Sequence, residues 1–454
     1  MVAVLTWAPM LVGLSSDTRL ALPLLPFALL SAWLAWVGLR TPVPDDATEG
    51  EDAVAVLLAF PVALLFSSAP YLTHDLSFLD AVFEGMSGVT GTGLTRYTAI
   101  DAQPFALHFL RAWQQFVGGY AIITLVVALL PASAKAAQQM AKPDVADDAG
   151  PEGRATPNLT VRSQRVLIAY VILTALCVLG VRLTGQDWGF SLLHGLTAVS
   201  TAGFSSFQTG LTDVPPAAIV VLMLFAVFGA VALSDYMRPL AERAGGRKLA
   251  GSLAAIVLLS LAFGLGSYAF ERAAGAQNTL FDVLQVASSA QTTTGFSALS
   301  VPDLTNGSKW LLIASMSIGG DLGSTAGGVK LARLATLALA AYALFRPRNS
   351  EPGTPGDGPA TALKVVIAWT ILTVAGGAAL SIVGHAPVNA FFEAASALNN
   401  TGLTAGPSSG EDVPVVTRVV LILLMWIGRV EILAIALVLR AMGVRDETEG
   451  QPDA

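Results

Sequence analysis

The chain has little charge and almost no cysteine. Only 13% of its 454 residues are Asp, Glu, Lys or Arg, against about 25% in a soluble domain. With 54% hydrophobic residues and a mean hydropathy of +0.65, so little charge cannot cover a water-facing surface. Much of the surface must therefore meet lipid. The lone cysteine, Cys177, excludes a disulfide within the chain and argues against a cysteine-based metal site. The four histidines, His74, His108, His194 and His385, are dispersed without metal-ligand spacing. HExxH does not occur. The net charge of −7 is spread over the loops and gives no basic face for nucleic acid. No soluble Gly-rich βαβ unit is present, so nucleotide control would need a separate subunit. The N-terminal apolar run lacks a basic n-region, which reads as a retained hairpin and not a cleaved signal peptide.

What is present in quantity is apolar sequence in runs of roughly 20 residues, the length that crosses a bilayer core. A membrane β-barrel would show alternating segments of about 10 residues instead. The expected fold is an all-α polytopic membrane protein. Residues 2–14 and 19–39 form a two-helix hairpin within segment 1–39, followed by an acidic linker from Arg40 to Asp52. Four repeats follow at 53–131, 162–238, 248–345 and 361–442, each a long span, a short semi-polar segment and a second span. The spans are placed near 53–72 and 105–131, 163–184 and 215–236, 249–270 and 308–345, and 362–384 and 414–441. Linkers 132–161 and 346–360 are rich in Ala, Pro, Gly and Asp and are expected to be poorly ordered.

Each semi-polar segment ends in the same signature: Thr90-Gly91-Thr92-Gly93, Ser200-Thr201-Ala202-Gly203, Thr292-Thr293-Thr294-Gly295 and Asn399-Asn400-Thr401-Gly402, each followed by Leu or Phe and a hydroxyl residue. Eight residues before the final glycine stand Gly85, Gly195, Ala287 and Ala394; six before stand Ser87, Thr197, Ser289 and Ser396. Small residues in register mean short helices packed closely against neighbours. About three turns cannot cross a membrane, so each segment enters and returns, which protein or water must surround. Lys and Arg concentrate in the inter-repeat connections and tail, including Lys135, Arg154, Arg165, Arg238, Arg247, Lys248, Arg346 and Arg445; the re-entrant sides carry only Arg96, Arg182, Arg272 and Lys309. Both termini are then cytoplasmic, the signatures open outward, and the repeats are parallel. Parallel repeats argue against an inverted-repeat rocking transporter.

Four such units closing around one axis would line a central pore with rings of carbonyl oxygens that replace a monovalent cation's hydration shell. Glycine admits the backbone angles this needs, hydroxyls brace the loops and add ligands, and the helix C-termini favour a cation. Acidic residues near the mouth, Asp75, Asp101, Asp213, Asp303, Glu411 and Asp412, would raise the local cation concentration. In the 308–345 segment, five glycines between Gly319 and Gly328, with Asp321, Ser324 and Thr325, make a continuous helix costly and predict a break with an intramembrane loop. Arg429, at membrane depth, should face a partner such as Asp321 or loop carbonyls.

These residues resemble the Trk/Ktr/HKT superfamily of potassium transporters, in particular its TrkH-like membrane subunit, over about residues 53–441. The resemblance rests on Phe78–Val89 before the first signature, Arg111–Gly119 after it, Gly319–Lys330, and Gly428-Arg429-Val430-Glu431. It implies potassium as the transported ion, with no cofactor bound by this chain, because all four signature positions are glycine where sodium-preferring plant members carry serine in the first loop. It implies ion-binding roles for the sixteen signature residues. It also implies a gate built from Gly319, Gly320, Asp321, Gly323, Ser324, Thr325, Gly327, Gly328 and Lys330, with Arg429 beside it. It further implies a homodimer in the cytoplasmic membrane and a cytosolic nucleotide-binding ring of the TrkA or KtrA type, which the basic loop 238–248 would contact. The chain departs from the family at Gly91, where threonine is usual, at Asn400 and Asp321, and in Met223–Asp235, which keeps one glycine where a Gly-Gly-x-Gly run is usual. Two other readings stand beside this one: a sodium-permeable or ion-coupled symporter of the same fold, and an intramembrane aspartyl protease. The protease does not fit, because the residues flanking Asp235 and Asp321 lack its paired patterns.

Overall fold

The computed structural model describes residues 2–41, 49–129, 159–237, 243–343 and 359–441, and among these every regular element is helical. Helices α1 (Val2–Ser16) and α2 (Thr18–Arg40) form the N-terminal hairpin, with α1 packed on the first repeat. The first repeat comprises α3 (Glu49–Ser67), the short α4 (Ala69–Leu72), α5 (Phe78–Thr90) and α6 (Phe105–Leu129). The second comprises α7 (Leu159–Leu183), α8 (Trp188–Val199) and α9 (Pro216–Gly229). The third has α10 (Arg243–Ala273), α11 (Leu280–Gln291), α12 (Asn306–Ile318) and α13 (Leu331–Ala343). The fourth has α14 (Pro359–Ile382), α15 (Pro387–Leu398) and α16 (Val415–Ala441). Linker residues 132–158 and 346–358 lie outside the described residues, as do 130–131 and 344–345 of the expected spans and 238–242 of the basic loop. Residues 159–161 and 359–360, expected as linker, instead form the first turns of α7 and α14.

Helical segments Thr18–Gly38, Ser163–Leu183, Gly246–Ala273 and Ala362–Ile382 are long and apolar enough to cross a membrane. Helices α5, α8, α11 and α15 have 13, 12, 12 and 12 residues, about 18–20 Å each at 1.5 Å per residue, well short of a 30 Å hydrocarbon core. Three start on capping side chains: Ser77 accepts from the Asp80 amide, Asp187 from Phe190, and Thr279 from Asp282. The fourth begins with Pro387 at the first helical position.

The second span of each repeat packs on the short helix of the next: α6 on α8, α9 on α11, α12 on α15, and α16 back on α5. The last contact closes the ring. Two second spans are broken. Helix α12 ends at Ile318 and helix resumes only at Leu331. The span expected near 215–236 is not continuous either: α9 stops at Gly229 and a 3₁₀ turn, Leu233–Met237, follows. The carbonyls of Gly229 and Ala230 are diverted, accepting from the Thr325 and Asp321 amides at 3.2 and 2.8 Å.

Candidate functional site

The four signature loops leave the inner ends of α5, α8, α11 and α15 by one shared turn. The amides of Thr92, Ala202, Thr294 and Thr401 donate to the carbonyls of Ser87, Thr197, Ser289 and Ser396, at 2.9, 3.0, 2.8 and 2.8 Å. Two residues before each final glycine the backbone is left-handed, with φ of 64° at Gly91, 49° at Thr201, 52° at Thr293 and 50° at Asn400. At the first of these Gly91 occupies the conformation freely, where a side chain with a Cβ would be strained.

The final glycines set the geometry of the site. A Cβ on Gly93 would lie 2.5 Å from the Ala202 carbonyl oxygen. One on Gly203 would run into the Thr294 carbonyl, one on Gly295 into that of Thr401, and one on Gly402 into that of Thr92. Each glycine therefore abuts the carbonyl just before the glycine of the next loop, and four such contacts complete a circle. Asn400 adds a side-chain tie between the fourth and first quarters, its Nδ2 donating to Thr92 Oγ1 at 3.0 Å and to the Met425 carbonyl at 2.9 Å. A cavity of about 380 Å³ opens on the ring, with Gly93, Gly203, Gly295 and Gly402 in its lining.

A set of supports not foreseen from the sequence holds the outgoing limb of each loop. Glu84, buried in α5, accepts from Thr95 Oγ1, the Arg96 amide and Arg111 Nε at 3.0, 2.8 and 2.8 Å. Glu393 in α15 accepts from Thr404 Oγ1 at 2.9 Å, the Ala405 amide at 3.0 Å and the Ser408 hydroxyl. His194 lies 3.3 Å from Ser205 Oγ, and Gln285 donates to the Phe296 carbonyl at 3.0 Å while accepting from the Ala298 amide at 2.9 Å. Glu84, His194 and Glu393 all stand nine residues before their signature glycine, a recurrence visible in the sequence. Gln115 links repeats one and two, donating to the Ala202 carbonyl at 2.7 Å and accepting from the Phe204 amide at 3.0 Å.

Residues 319–328 lie directly under this ring. The Gly327 amide donates to Thr293 Oγ1 at 2.7 Å, and a Cβ on Gly327 would strike the Asn399 carbonyl. Thr325 Oγ1 donates to the carbonyls of Gly229 and Val199 at 2.9 and 3.1 Å. Gln291 Nε2 holds the Gly319 carbonyl at 2.8 Å. Of the two partners expected for Arg429, the loop carbonyl is the one met: Nη1 donates to Thr325 O at 2.9 Å and Nη2 to Gly118 O at 3.4 Å. Asp321 accepts from Ser252 Oγ at 2.7 Å and from the Leu322 amide at 2.8 Å. Lys330, buried, turns its ammonium onto the Ala326 carbonyl. Gly320, Gly323, Ser324 and Gly328 complete this loop, with φ of 82° at Gly323 and at Gly328.

Four parallel helical units closed around one axis define a polytopic membrane transport protein. Comparison with known proteins makes this specific. The sequence pattern of TrkH, described as a cation transport protein, matches residues 51–234 and 361–448, more than half of the chain. The chain belongs to this family, a family of transporters and not of enzymes. Among its relatives is the Trk system potassium uptake protein TrkH of Halomonas elongata, 28% identical over 406 residues, 83% of this chain and 82% of that protein. An uncharacterized cation transporter of Methanocaldococcus jannaschii is 26% identical over 447 residues, 96% of this chain and 91% of its own. The fold is that of the crystal structure of the potassium transporter TrkH from Vibrio parahaemolyticus, with a TM-score of 0.81 over 98% of this chain and 96% of that one, at 24% identity.

Proposed function

We propose that this chain takes up potassium across the cytoplasmic membrane through a filter formed by the four signature loops, with residues 319–328 as its gate. One observation carries the reading: the circle of glycine-to-carbonyl contacts through Gly93, Gly203, Gly295 and Gly402. Backbone packed this closely around one axis supplies oxygen ligands for a dehydrated monovalent cation. Kinship with proteins named for potassium uptake supports potassium as that cation. The gate assignment draws support from the bond between Gly327 and Thr293 and from the grip of Arg429 on Thr325. In this reading the repeats at 53–131, 162–238, 248–345 and 361–442 are the four pore units and both termini are cytoplasmic. The chain pairs as a homodimer and meets a TrkA- or KtrA-type ring on its cytoplasmic face; it needs no cofactor of its own.

The test is cation flux into vesicles holding the purified protein, comparing potassium, rubidium, sodium and lithium, with and without imposed sodium or proton gradients. Potassium and rubidium are expected to pass in preference to sodium and lithium. Gly295→Ser and Gly93→Ser are expected to erode that preference. Equal sodium and potassium flux in the unmodified protein refutes the filter, and flux that requires a sodium or proton gradient refutes simple conduction.

A further inference from the structure

A second cavity, of about 300 Å³, opens sideways between α9, α10 and α11. It belongs neither to the ring nor to the loop beneath it. Its rim is apolar and outward-facing: Val220, Leu224, Val257, Leu261 and Phe281 are all exposed. Val257 and Leu261 lie at the middle of the membrane-crossing segment Gly246–Ala273. At that depth neither water nor a lipid headgroup is available, and the surrounding solvent is hydrocarbon.

Three polar residues line it, Ser260, Gln285 and Ser288, and two of them support the third signature loop, Gln285 through its side chain and Ser288 through its backbone carbonyl. Gln285 holds Phe296 and Ala298, as described above, and its Nε2 also lies 3.3 Å from Met223 Sδ. Ser288 presents its carbonyl to Thr292, accepting from the amide at 2.9 Å and from Oγ1 at 2.8 Å. In repeats one and four the corresponding support is a carboxylate, Glu84 or Glu393. Here it is a neutral amide with both functional groups satisfied, which a hydrocarbon neighbour tolerates at far lower cost than a charge. A void of this size is enough for part of one flexible chain and at the low end of ligand pockets.

We propose that this lateral cavity is a binding site for a phospholipid acyl chain, and that its occupancy steadies the third loop through Gln285 and Ser288. The coupling to transport rests on the reading of that loop as part of the filter; the binding site does not. The test uses the full chain in vesicles containing a phospholipid with a photoactivatable diazirine in mid-chain, with adducts mapped by mass spectrometry. Adducts are expected on Met223 and Ser288 inside the cavity, in addition to those on Leu258 and Leu265, which face bulk lipid (64% and 53% exposed). Leu261→Trp, and separately the milder Val257→Phe, should abolish the Met223 and Ser288 adducts, leave those on Leu258 and Leu265, and lower the ratio of potassium to sodium flux. Label confined to Leu258 and Leu265 in the unmodified protein overturns the site. Loss of the inner adducts with an unchanged flux ratio overturns the coupling. An unmodified protein that labels as expected yet passes sodium as readily as potassium refutes the filter reading alone.

Discussion

At the scale of single residues, the signature glycines carry two separable burdens, backbone angle and space. Gly203 has φ of 67° and a Cβ there would collide with the Thr294 carbonyl. Gly185, in the loop before α8, has φ of 95° and open space around it. Gly185→Ala should cost only the left-handed penalty, about 1–2 kcal/mol, seen as a lower melting temperature with transport selectivity unchanged. Gly203→Ala should show a comparable or larger loss of stability and also a reduced potassium-to-sodium flux ratio. Identical flux ratios for the two variants would remove the spatial argument. Arg429 gives the second prediction at this scale. Its guanidinium holds the Thr325 carbonyl at 2.9 Å, and a charged hydrogen bond contributes about 1.5–3 kcal/mol. Arg429→Ala should therefore release the loop beneath the ring and raise flux by about tenfold or more, since 1.4 kcal/mol is a factor of ten in a two-state population. Flux in reconstituted vesicles at the unmodified level would contradict this.

At the scale of elements, the short helices and the break after Ile318 were legible because they depend on local chemistry. Small residues in register and five clustered glycines act within a few residues of themselves. The break after Gly229 was not legible, because its cause is remote: the amides of Asp321 and Thr325, more than 90 residues on in the chain, take the Ala230 and Gly229 carbonyls. The supports Glu84 and Glu393 repeat at one offset, yet a buried carboxylate looks the same in sequence whether it meets amides or a cation; only packing shows amide and hydroxyl donors around Glu393. This makes Gly327 the informative position within the 319–328 loop. It sits between Thr293 and Asn399, in contact with two quarters of the ring at once. Gly327→Ala should displace the loop from the ring, with altered flux and little change in melting temperature, whereas Thr279→Ala, which removes only a helix cap, should cost about 1 kcal/mol of stability and leave flux per folded molecule intact. Melting curves and vesicle flux on the same preparations distinguish the two patterns. Parallel losses in both measurements for Gly327→Ala would indicate general unfolding instead of loop displacement.

At the scale of the whole molecule, four repeats close on themselves and the N-terminal hairpin is clipped on from outside. Trp113 of α6 donates to the Val4 carbonyl at 2.8 Å, and the turn of the hairpin is fixed at a second point. There Asp17 caps α2 through the Arg19 amide at 3.0 Å and lies 2.8 Å from His74 Nε2, while Thr73 Oγ1 donates to the Arg19 carbonyl at 2.8 Å. His74 in turn presents its carbonyl to the Tyr97 hydroxyl at 3.1 Å, and Tyr97 lines the cavity over the ring. The hairpin thus reaches the cavity over the ring through this joint. Burial pushes the Asp17 carboxyl upward, but the His74 and Arg19 hydrogen bonds outweigh it and hold the group below the ordinary carboxylate value. A depressed folded value means the joint contributes its stability in full above the unfolded pKa, about 4, and loses it as pH falls through the lower folded value. Asp17→Asn should therefore melt a few degrees below the unmodified protein at neutral pH, and the gap should close as the pH is lowered under about 4. Because both proteins share every other carboxylate, comparing their melting temperatures across the same pH series isolates this joint. A gap that stays constant from neutral to acid pH would mean that Asp17 acts through its cap geometry and not through its charge.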